Sequence, residues 1–349
     1  MNVLIIFTLF LLFSLYLNWG FRFLPKEKGQ ILAVFPGNKG GDETWEGTNL
    51  TYYGLLVANG VAAASALYLM LMTSLGADLI ASYLILTLVL LLAMPAARVI
   101  AAWVEKKSST FSTGAASFVG LLAAFIAILA VNHSIGPWLG YSVNGPATLA
   151  IMSISYCIGE GLGRLACVSF GCCYGKPLYK SHPLLQRVFN RFHFVFQGNT
   201  KKISYAEGWE DVPMIPIQAV TAIICLLAAI VGLALFTASY FSAAFLITLF
   251  SSQTWRFFSE FLRSDHRGEG RLSAYQILAI LTFSLGILMV NSFSQPIQSD
   301  VLLEKGIFHL IQPGAIFFLT FVWAVTFYYL GRSRVTGATL SFWVHEDRI

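Results

Sequence analysis

The sequence predicts an all-α polytopic integral membrane protein with about nine transmembrane helices. Of its 349 residues, 57% are hydrophobic and only 11% are charged, and the mean hydropathy is +0.71. These values exclude an ordinary soluble domain. Because lipid satisfies no backbone polar group, long apolar runs are expected to be helical. Nine runs are long enough to span a bilayer: residues 2–19, 50–73, 77–104, 111–132, 146–170, 215–237, 239–262, 272–292 and 312–331.

The apolar runs divide the chain into three regions. Residues 1–49 contain the first helix and a loop. That helix lacks a basic start and a small-residue cleavage site, so it is expected to remain as an anchor. Residues 50–292 form the predicted membrane core, with residues 171–214 as an extramembrane arm. Residues 293–349 add a last helix and a tail.

Positive charge is distributed unevenly along the chain. If the helices alternate in direction, 18 of the 22 Lys and Arg residues fall on one side of the membrane and only Lys305 on the other. We call the richer face the motif side; it carries loops 20–49, 105–110, 171–214 and 263–271 and the tail 332–349. The positive-inside rule would place the motif side in the cytoplasm.

The remaining three cations lie within or at the rim of apolar runs: Arg98, Arg164 and Arg256. An arginine at the centre of a membrane helix costs about 2.5–3.5 kcal/mol on insertion scales. Such residues are therefore expected to face a polar cavity or an anionic ligand.

The five cysteines are too few for a disulfide scaffold, and their spacing matches no zinc motif. Cys157 and Cys225 are interpreted as small packing residues within helices. The adjacent pair Cys172-Cys173 allows three interpretations, namely a structural turn, a redox pair and a substrate-facing thiol. No cofactor and no metal ion is expected.

A glycine-rich stretch from Gly159 to Gly175 is the first of two polar motifs. Its glycines permit close approach of the backbone to a neighbour or ligand and then end the helix. Arg164 follows Glu160 by one helical turn, which is the favourable order for an ion pair. The pair either neutralises itself or leaves Arg164 available for an anion.

The second motif places Arg256, Glu260 and Arg263 on one face of a helix whose other positions are mainly aromatic. Together with Arg98, Arg164 and Glu160, these groups carry a net charge of +2. An excess of this kind suits a lipid phosphate, which arginine binds bidentately. The competing interpretation is that some arginines, foremost Arg263, extend to lipid headgroups at the interface.

The succession of motifs resembles the prolipoprotein diacylglyceryl transferases of the bacterial inner membrane. The resemblance covers about residues 50–292 and implies a seven-helix core with one extra helix at each end. It rests on five ordered landmarks: Tyr52-Tyr53-Gly54-Leu55, Ala96-Ala97-Arg98, Gly159 to Gly175, Pro216-Ile217-Gln218, and Arg256 to Arg263 followed by Leu272-Ser273 and Gln276.

The resemblance implies transfer of a diacylglyceryl group from phosphatidylglycerol to the lipobox cysteine thiol of a prolipoprotein signal peptide. The expected partners are thus phosphatidylglycerol, that peptide and the surrounding membrane lipids, and no nucleic acid. Arginines would stabilise the charge on the departing phosphate, and a base would remove the thiol proton. The implied catalytic residues are Arg164, Arg256 and Glu260, and the implied substrate-binding residues are Tyr53, Arg98, Gly175, Gln218 and Arg263.

The sequence departs from the family pattern at several polar positions. The stretch Ser112-Thr113-Gly114 stands where the family has His-Gly-Gly, Cys167 replaces an asparagine, and Cys172 replaces a glutamate. These departures motivate an alternative function, a phospholipid-binding or lipid-transport protein that keeps the phosphate site without transferase activity.

Membrane orientation is a second point of tension. The family implies a site facing the periplasmic side, where exported preproteins arrive. The positive-inside rule places the same side in the cytoplasm. We favour the family orientation because arginines of the site and of the basic arm inflate the count.

Overall fold

The described residues form a bundle of long apolar helices, which confirms the predicted polytopic membrane class. A computed structural model describes residues 1–40, 44–106, 111–265, 272–293 and 301–349, without the side chains of Leu139 and Arg334. These residues include thirteen α-helices: α1 Asn2–Phe23, α2 Tyr52–Ser74, α3 Leu79–Glu105, α4 Thr113–Ala130, α5 Gly136–Leu139, α6 Gly145–Phe170, α7 Pro183–Phe189, α8 Lys202–Glu207, α9 Ile217–Thr237, α10 Phe241–Leu262, α11 Ala274–Asn291, α12 Leu303–Leu310 and α13 Pro313–Gly331.

Eight helices of the described chain are long and apolar enough to span a membrane: α1, α2, α3, α4 with its continuation through α5, α6, α9, α11 and α13. The sequence predicted about nine. The difference is α10, which has 22 residues but carries the polar run Ser251 to Thr254 and the charges of Arg256 and Glu260. Its length of about 33 Å is still sufficient for a bilayer.

A three-stranded antiparallel sheet lies outside the helices, in two regions that the sequence predicted as loop and tail. Its strands are β1 Ile31–Lys39, β2 Thr44–Thr51 and β5 Arg332–Ser341, in the order β1-β2-β5. Thr48 pairs with Gly337 and Thr44 with Ser341. Strands β3 Phe194–Val195 and β4 Pro213–Met214 form a separate antiparallel pair within the arm, with α8 between them in the chain.

The pairing of β2 with β5 requires that the chain cross the membrane an even number of times between these two strands. Two segments can share a sheet only if they emerge on the same side of the membrane. Between them lie seven of the eight spanning helices, and an odd number of crossings would place them on opposite sides. Crossing by α10 makes the number even, so the sheet indicates that α10 spans the membrane as well.

Local capping explains where several helices begin and end. The Asp78 side chain accepts hydrogen bonds from the first-turn amides of α3, and Asn144 does the same for α6. Ser273 and Gln276 form a capping box at the start of α11. At the other end of α6, Gly171 has a φ of +65°, a left-handed conformation that glycine adopts readily. The chain therefore reverses just after the glycine-rich motif.

Glycines let the backbones of three helices come into close contact. A Cβ atom at Gly60 of α2 would lie 3.0 Å from the amide nitrogen of Gly163 in α6. A Cβ atom at Gly54 of α2 would overlap the backbone of Gly331 at the end of α13. Small residues of this kind permit close packing in membranes, where the hydrophobic effect does not drive helices together. Helix α2 is thus held between α6 and α13.

The arm after α6 is fixed to the bundle by one buried lysine. Lys201 is fully buried, and its ammonium donates hydrogen bonds to the carbonyl oxygens of Leu24 at 3.1 Å and Ser169 at 2.6 Å. These carbonyls end α1 and α6, where a cation complements the helix dipoles. Burial lowers the pKa of Lys201 to about 8. The arm therefore has a defined position over the ends of α1 and α6.

We predict that Gly54→Ala destabilises the protein by about 1–3 kcal/mol, the usual effect of overpacking. The added methyl group would force the start of α2 away from the end of α13. The matched control is Gly314→Ala, because a Cβ at Gly314 meets no atom of the described residues within 4 Å. Thermal unfolding of the purified variants in detergent measures the difference, and equal melting temperatures for the two variants would refute this packing.

Candidate active site

A buried network of charged and polar side chains joins α4, α6 and α10. At its centre is Glu160, which forms ion pairs with Arg164 and Arg256. Nη2 of Arg256 lies 2.7 Å from each of the two Glu160 carboxylate oxygens. All three side chains are buried. The i,i+4 pair expected from the sequence is therefore part of a triad that crosses between helices.

Two hydroxyl groups complete this network. The Thr113 hydroxyl accepts hydrogen bonds from Arg164 at 3.2 Å and Arg256 at 3.0 Å, and donates to Glu160 at 3.2 Å. The Tyr156 hydroxyl accepts a hydrogen bond from Arg256 at 2.6 Å and donates to Glu160. These contacts occupy most of the polar atoms around the carboxylate. A buried ion pair is stable only when its remaining hydrogen-bonding groups are satisfied in this way.

The triad retains capacity for a further anion. Two guanidinium groups face one carboxylate, so the triad has a net charge of +1. The Nε–H groups of Arg164 and Arg256 are buried and have no hydrogen-bond partner among the described residues. Both arginines lie less than two helical turns from the motif-side end of their helices. An anionic group arriving near that membrane face would meet excess positive charge.

The triad forms part of the wall of a cavity of about 400 Å³. One end of the cavity is polar and reaches the motif side, where Glu105, Lys202, Asp265 and Arg332 line it. The other end lies deep among α3, α4, α6 and α10, and its walls are apolar: Leu86, Ala93, Leu121, Ala124, Leu149, Phe245 and Leu249. A molecule with a charged head and an apolar tail fits this division.

Six of the eight residues predicted for the site line this one cavity: Tyr53, Arg98, Arg164, Arg256, Glu260 and Arg263. The guanidinium of Arg98 lies 5.0 Å from the centre of the Tyr329 ring, a cation–π distance. The Glu260 carboxylate accepts a hydrogen bond of 3.1 Å from the Ser273 hydroxyl. The side-chain ring of Tyr53 packs edge-on against Phe170.

Arg263 is buried rather than extended to the interface. Its Nε and Nη2 donate to the two carboxylate oxygens of Asp265 at 2.8 Å and 2.6 Å. The backbone of Arg263 also forms an isolated bridge with Gly175. This burial and the pairing with Asp265 disagree with the interpretation that the Arg263 side chain extends to lipid headgroups.

Gly175 and Gln218 do not line the cavity. A Cβ at Gly175 would lie 2.5 Å from the Ile215 carbonyl oxygen, so a larger residue would push apart the segments that meet there. The Gln218 side chain is buried and donates a hydrogen bond of 2.8 Å to the Cys172 carbonyl oxygen. Both residues shape the turn beside the cavity, and their predicted role in substrate binding stays a prediction.

Sequence reasoning did not single out several residues of the site. Thr113 and Tyr156 have ordinary identities for membrane helices, and only the position of Thr113 in the His-Gly-Gly replacement could have marked it. Tyr329 lies in the last helix, which the sequence analysis treated as an addition to the membrane core and did not search for site residues. The thiols of Cys167, Cys172 and Cys173 all lie within 4.8 Å of one another at the cavity wall. Their arrangement could hold a metal ion, although their spacing matched no motif.

The fold and the site define a multi-pass membrane protein with a buried arginine pair beside a cavity that has one polar and one apolar end. Comparison with protein families assigns the chain to one family within this class. The sequence model of the prolipoprotein diacylglyceryl transferases matches residues 44–292. Because this match covers more than half of the chain, the protein belongs to the prolipoprotein diacylglyceryl transferase family, which is a transferase family. Helices α1 and α13 lie outside the matched region. No curated protein matches the chain.

We predict that Glu160→Gln destabilises the protein by about 3–5 kcal/mol, the usual effect of breaking a buried ion pair. Two guanidinium groups would then remain buried without their shared counter-charge. The matched control is Glu304→Gln, which changes an exposed carboxylate of α12 and should alter stability by less than about 0.5 kcal/mol. Denaturant or thermal unfolding in detergent gives the comparison. A Glu160→Gln protein as stable as the control would show that the triad does not hold the bundle.

Proposed function

We propose that the protein transfers the diacylglyceryl group of phosphatidylglycerol to the lipobox cysteine thiol of a prolipoprotein and releases glycerol phosphate. The observation that carries this proposal is the buried pair Arg164 and Arg256 at the wall of a cavity with one polar and one apolar end. Membership of the transferase family supports the same reaction.

The cavity suits a phospholipid in shape and charge. Its apolar end is lined by aliphatic and aromatic side chains such as Leu121, Leu149 and Phe245, against which acyl chains can pack by van der Waals contact. Its polar end carries Arg98, Lys202 and Arg332 in addition to the triad. Acidic groups are present there too, so the headgroup would be oriented by neighbouring positive and negative charges.

The proposed chemistry requires stabilisation of a leaving phosphate. The acceptor thiolate attacks a glyceryl carbon, and the carbon–oxygen bond to phosphate breaks as negative charge grows on the phosphate oxygens. Preorganised donors at this point lower the barrier more than they stabilise the ground state. We assign that role to Arg164 and Arg256, and headgroup orientation to Arg98. Glu260 lines the same cavity and is the proposed base.

One observation favours the alternative function of lipid binding without transfer. Glu160 already engages both arginines, so it competes with a phosphate for the same donors. In a transferase, the phosphate must accept hydrogen bonds from the Nε–H groups of the two arginines or displace Glu160 from at least one of them. If the carboxylate keeps both arginines, the cavity would bind phospholipid and not promote its cleavage.

Incubation of the purified protein with labelled phosphatidylglycerol and a lipobox peptide separates the two functions. The proposal predicts label transfer to the peptide with a cysteine at the acceptor position and none to the same peptide with serine. Labelled lipid that binds to the protein without appearing on the cysteine peptide, while an authentic transferase labels it in parallel, would reject the transferase function.

We predict that Arg164→Lys and Arg256→Lys each lower turnover by about 10²–10³, the usual effect of removing a strong transition-state donor. Lysine keeps the charge but loses the planar fork that binds a phosphate bidentately. The matched control is Arg22→Lys, because Arg22 is exposed at the end of α1. The assay reports turnover, and immunoblotting of membranes reports abundance. Normal turnover in both variants would assign these arginines to charge balance with Glu160.

We predict that a reporter fused after Ile349 reads out on the periplasmic side. Strand β5 pairs with β2, so the C-terminal tail lies on the motif side, where the polar end of the cavity opens. Exported prolipoproteins would be accessible only from the periplasm. Paired fusions to alkaline phosphatase and green fluorescent protein provide opposite readouts, and a cytoplasmic tail would reject this localisation of the site.

A further inference from the structure

Three thiols meet where α6 ends. Cys167 lies in the last turn of α6, and Cys172 and Cys173 follow the reversal of the chain at Gly171. Their sulfur atoms lie within 4.8 Å of one another. No disulfide joins any of the five cysteines, all of which lie in the described part of the chain. The glycine-rich motif thus ends in a cluster of three thiols.

The surrounding structure holds this cluster in place. The Gln218 side chain donates its hydrogen bond of 2.8 Å to the Cys172 carbonyl oxygen. Cys173 has a left-handed backbone conformation with a φ of 54°, which turns the vicinal pair sharply. Beside it, the backbone of Ile203 donates a hydrogen bond of 3.1 Å to the Gly171 carbonyl oxygen. The anchored arm therefore fixes the turn that carries two of the thiols.

The cluster opens into the cavity that contains the arginines. Cys167, Cys172 and Cys173 all line it, together with Arg164 and Tyr53. A ligand held by the thiols would therefore share the cavity with a phospholipid whose phosphate lies at the arginines. This placement distinguishes the cluster from Cys157 and Cys225, which are buried between helices and do not line the cavity.

The geometry is compatible with a zinc ion after a small contraction. Zinc–sulfur bonds are about 2.3 Å long, so two thiolates of a tetrahedral site are about 3.8 Å apart. The observed separations exceed this value by at most about 1 Å, which side-chain rotation can supply. Three protein ligands leave one tetrahedral position open, and an open position is typical of catalytic rather than structural zinc.

We propose that Cys167, Cys172 and Cys173 bind a soft divalent metal ion of the Zn²⁺ type, and that the open position of this ion receives the acceptor thiol. The metal site follows from the cluster alone. The identity of the incoming thiol rests on the proposed function.

The metal would assist removal of the proton from the acceptor thiol, at a site where no histidine is among the described residues that line the cavity. A thiol that coordinates Zn²⁺ loses its proton, here to Glu260, the proposed base in the same cavity, and thiolate is the nucleophilic form. The acceptor sulfur then forms its bond to the glyceryl carbon. The bond from that carbon to the phosphate oxygen breaks, and the phosphate departs with the electron pair beside Arg164 and Arg256. The three protein thiolates remain bound to the metal, and nothing is oxidised or reduced.

Titration of the reduced, purified protein with Co²⁺ tests the metal site. We expect one Co²⁺ per chain, with intense thiolate-to-cobalt absorption and visible bands of tetrahedral geometry, and displacement by Zn²⁺. Serine variants at Cys167, Cys172 and Cys173 should each weaken the apparent Co²⁺ affinity by at least about 10-fold. Loss of a residue that only hydrogen-bonds to a metal ligand typically weakens binding by about 10- to 100-fold, so loss of a ligand itself should cost at least as much. The matched control, Cys157→Ser, should bind like the parent.

Two results would overturn the metal site. One is the absence of stoichiometric Co²⁺ binding in the reduced parent, including the case in which mild oxidation instead yields a disulfide among the three cysteines. The other is unchanged binding in all three serine variants. Melting temperatures of the variants, measured without metal, show whether weaker binding reflects a lost ligand or an unfolded protein.

A second measurement tests the open position without requiring turnover. Addition of a lipobox peptide to the Co²⁺-loaded protein should change the cobalt spectrum when the peptide carries cysteine and not when it carries serine. Equal spectra with both peptides would overturn the acceptor role. Transfer at the full rate by chelator-treated, metal-free protein would also overturn it, while leaving the proposed transferase function intact. Absence of transfer with Co²⁺ binding intact would reject the transferase function alone.

Discussion

The structure depends on the burial of two guanidinium groups and one carboxylate inside a membrane bundle. A lone charge in that environment costs several kcal/mol, and a pair is tolerated only with further hydrogen bonds. Glu160 provides the counter-charge, and Thr113 and Tyr156 provide the hydroxyl groups. Because these residues come from α4, α6 and α10, the network also fixes the positions of three helices around the cavity. The same network that stabilises the bundle therefore leaves an excess positive charge beside the cavity.

Helix α13 is integrated with this site although it lies outside the family match. Its Tyr329 ring faces Arg98 at a cation–π distance, and its last glycine packs against Gly54 of α2. The strand that follows contributes Arg332 to the polar end of the cavity. The C-terminal region therefore contributes to the polar end of the cavity.

Much of the helical framework could be predicted because the bilayer imposes length and composition on each span. The predicted runs 50–73 and 146–170 differ from α2 and α6 by at most two residues at either end. The three-stranded sheet could not be predicted in this way, because β2 and β5 are separated by most of the chain and strand pairing at that distance leaves little local signal. The run 239–262 was predicted as a span as well, and it corresponds to α10 although Gln253, Arg256 and Glu260 make this helix more polar than the others.

The arginines of the candidate site and the pairing of Arg164 with Glu160 could be predicted, but the contacts between helices could not. Helical periodicity relates Glu160 to Arg164, but it contains no information about Arg256, whose contact with the same carboxylate depends on how α6 packs against α10. The three-thiol cluster has the same origin, because the reversal at Gly171 brings residues five and six positions apart together. Close contacts made by packing and by turns are visible only in three dimensions.

The most direct test of the central claim is a structure of the protein with a non-hydrolysable phosphonate analogue of phosphatidylglycerol, determined by cryo-electron microscopy. We predict that the phosphorus atom lies beside the guanidinium groups of Arg164 and Arg256, that Glu160 has moved from at least one of them, and that the acyl chains occupy the apolar end of the cavity. A phosphonate bound elsewhere, with both Glu160 ion pairs unchanged, would contradict an arginine-held lipid phosphate.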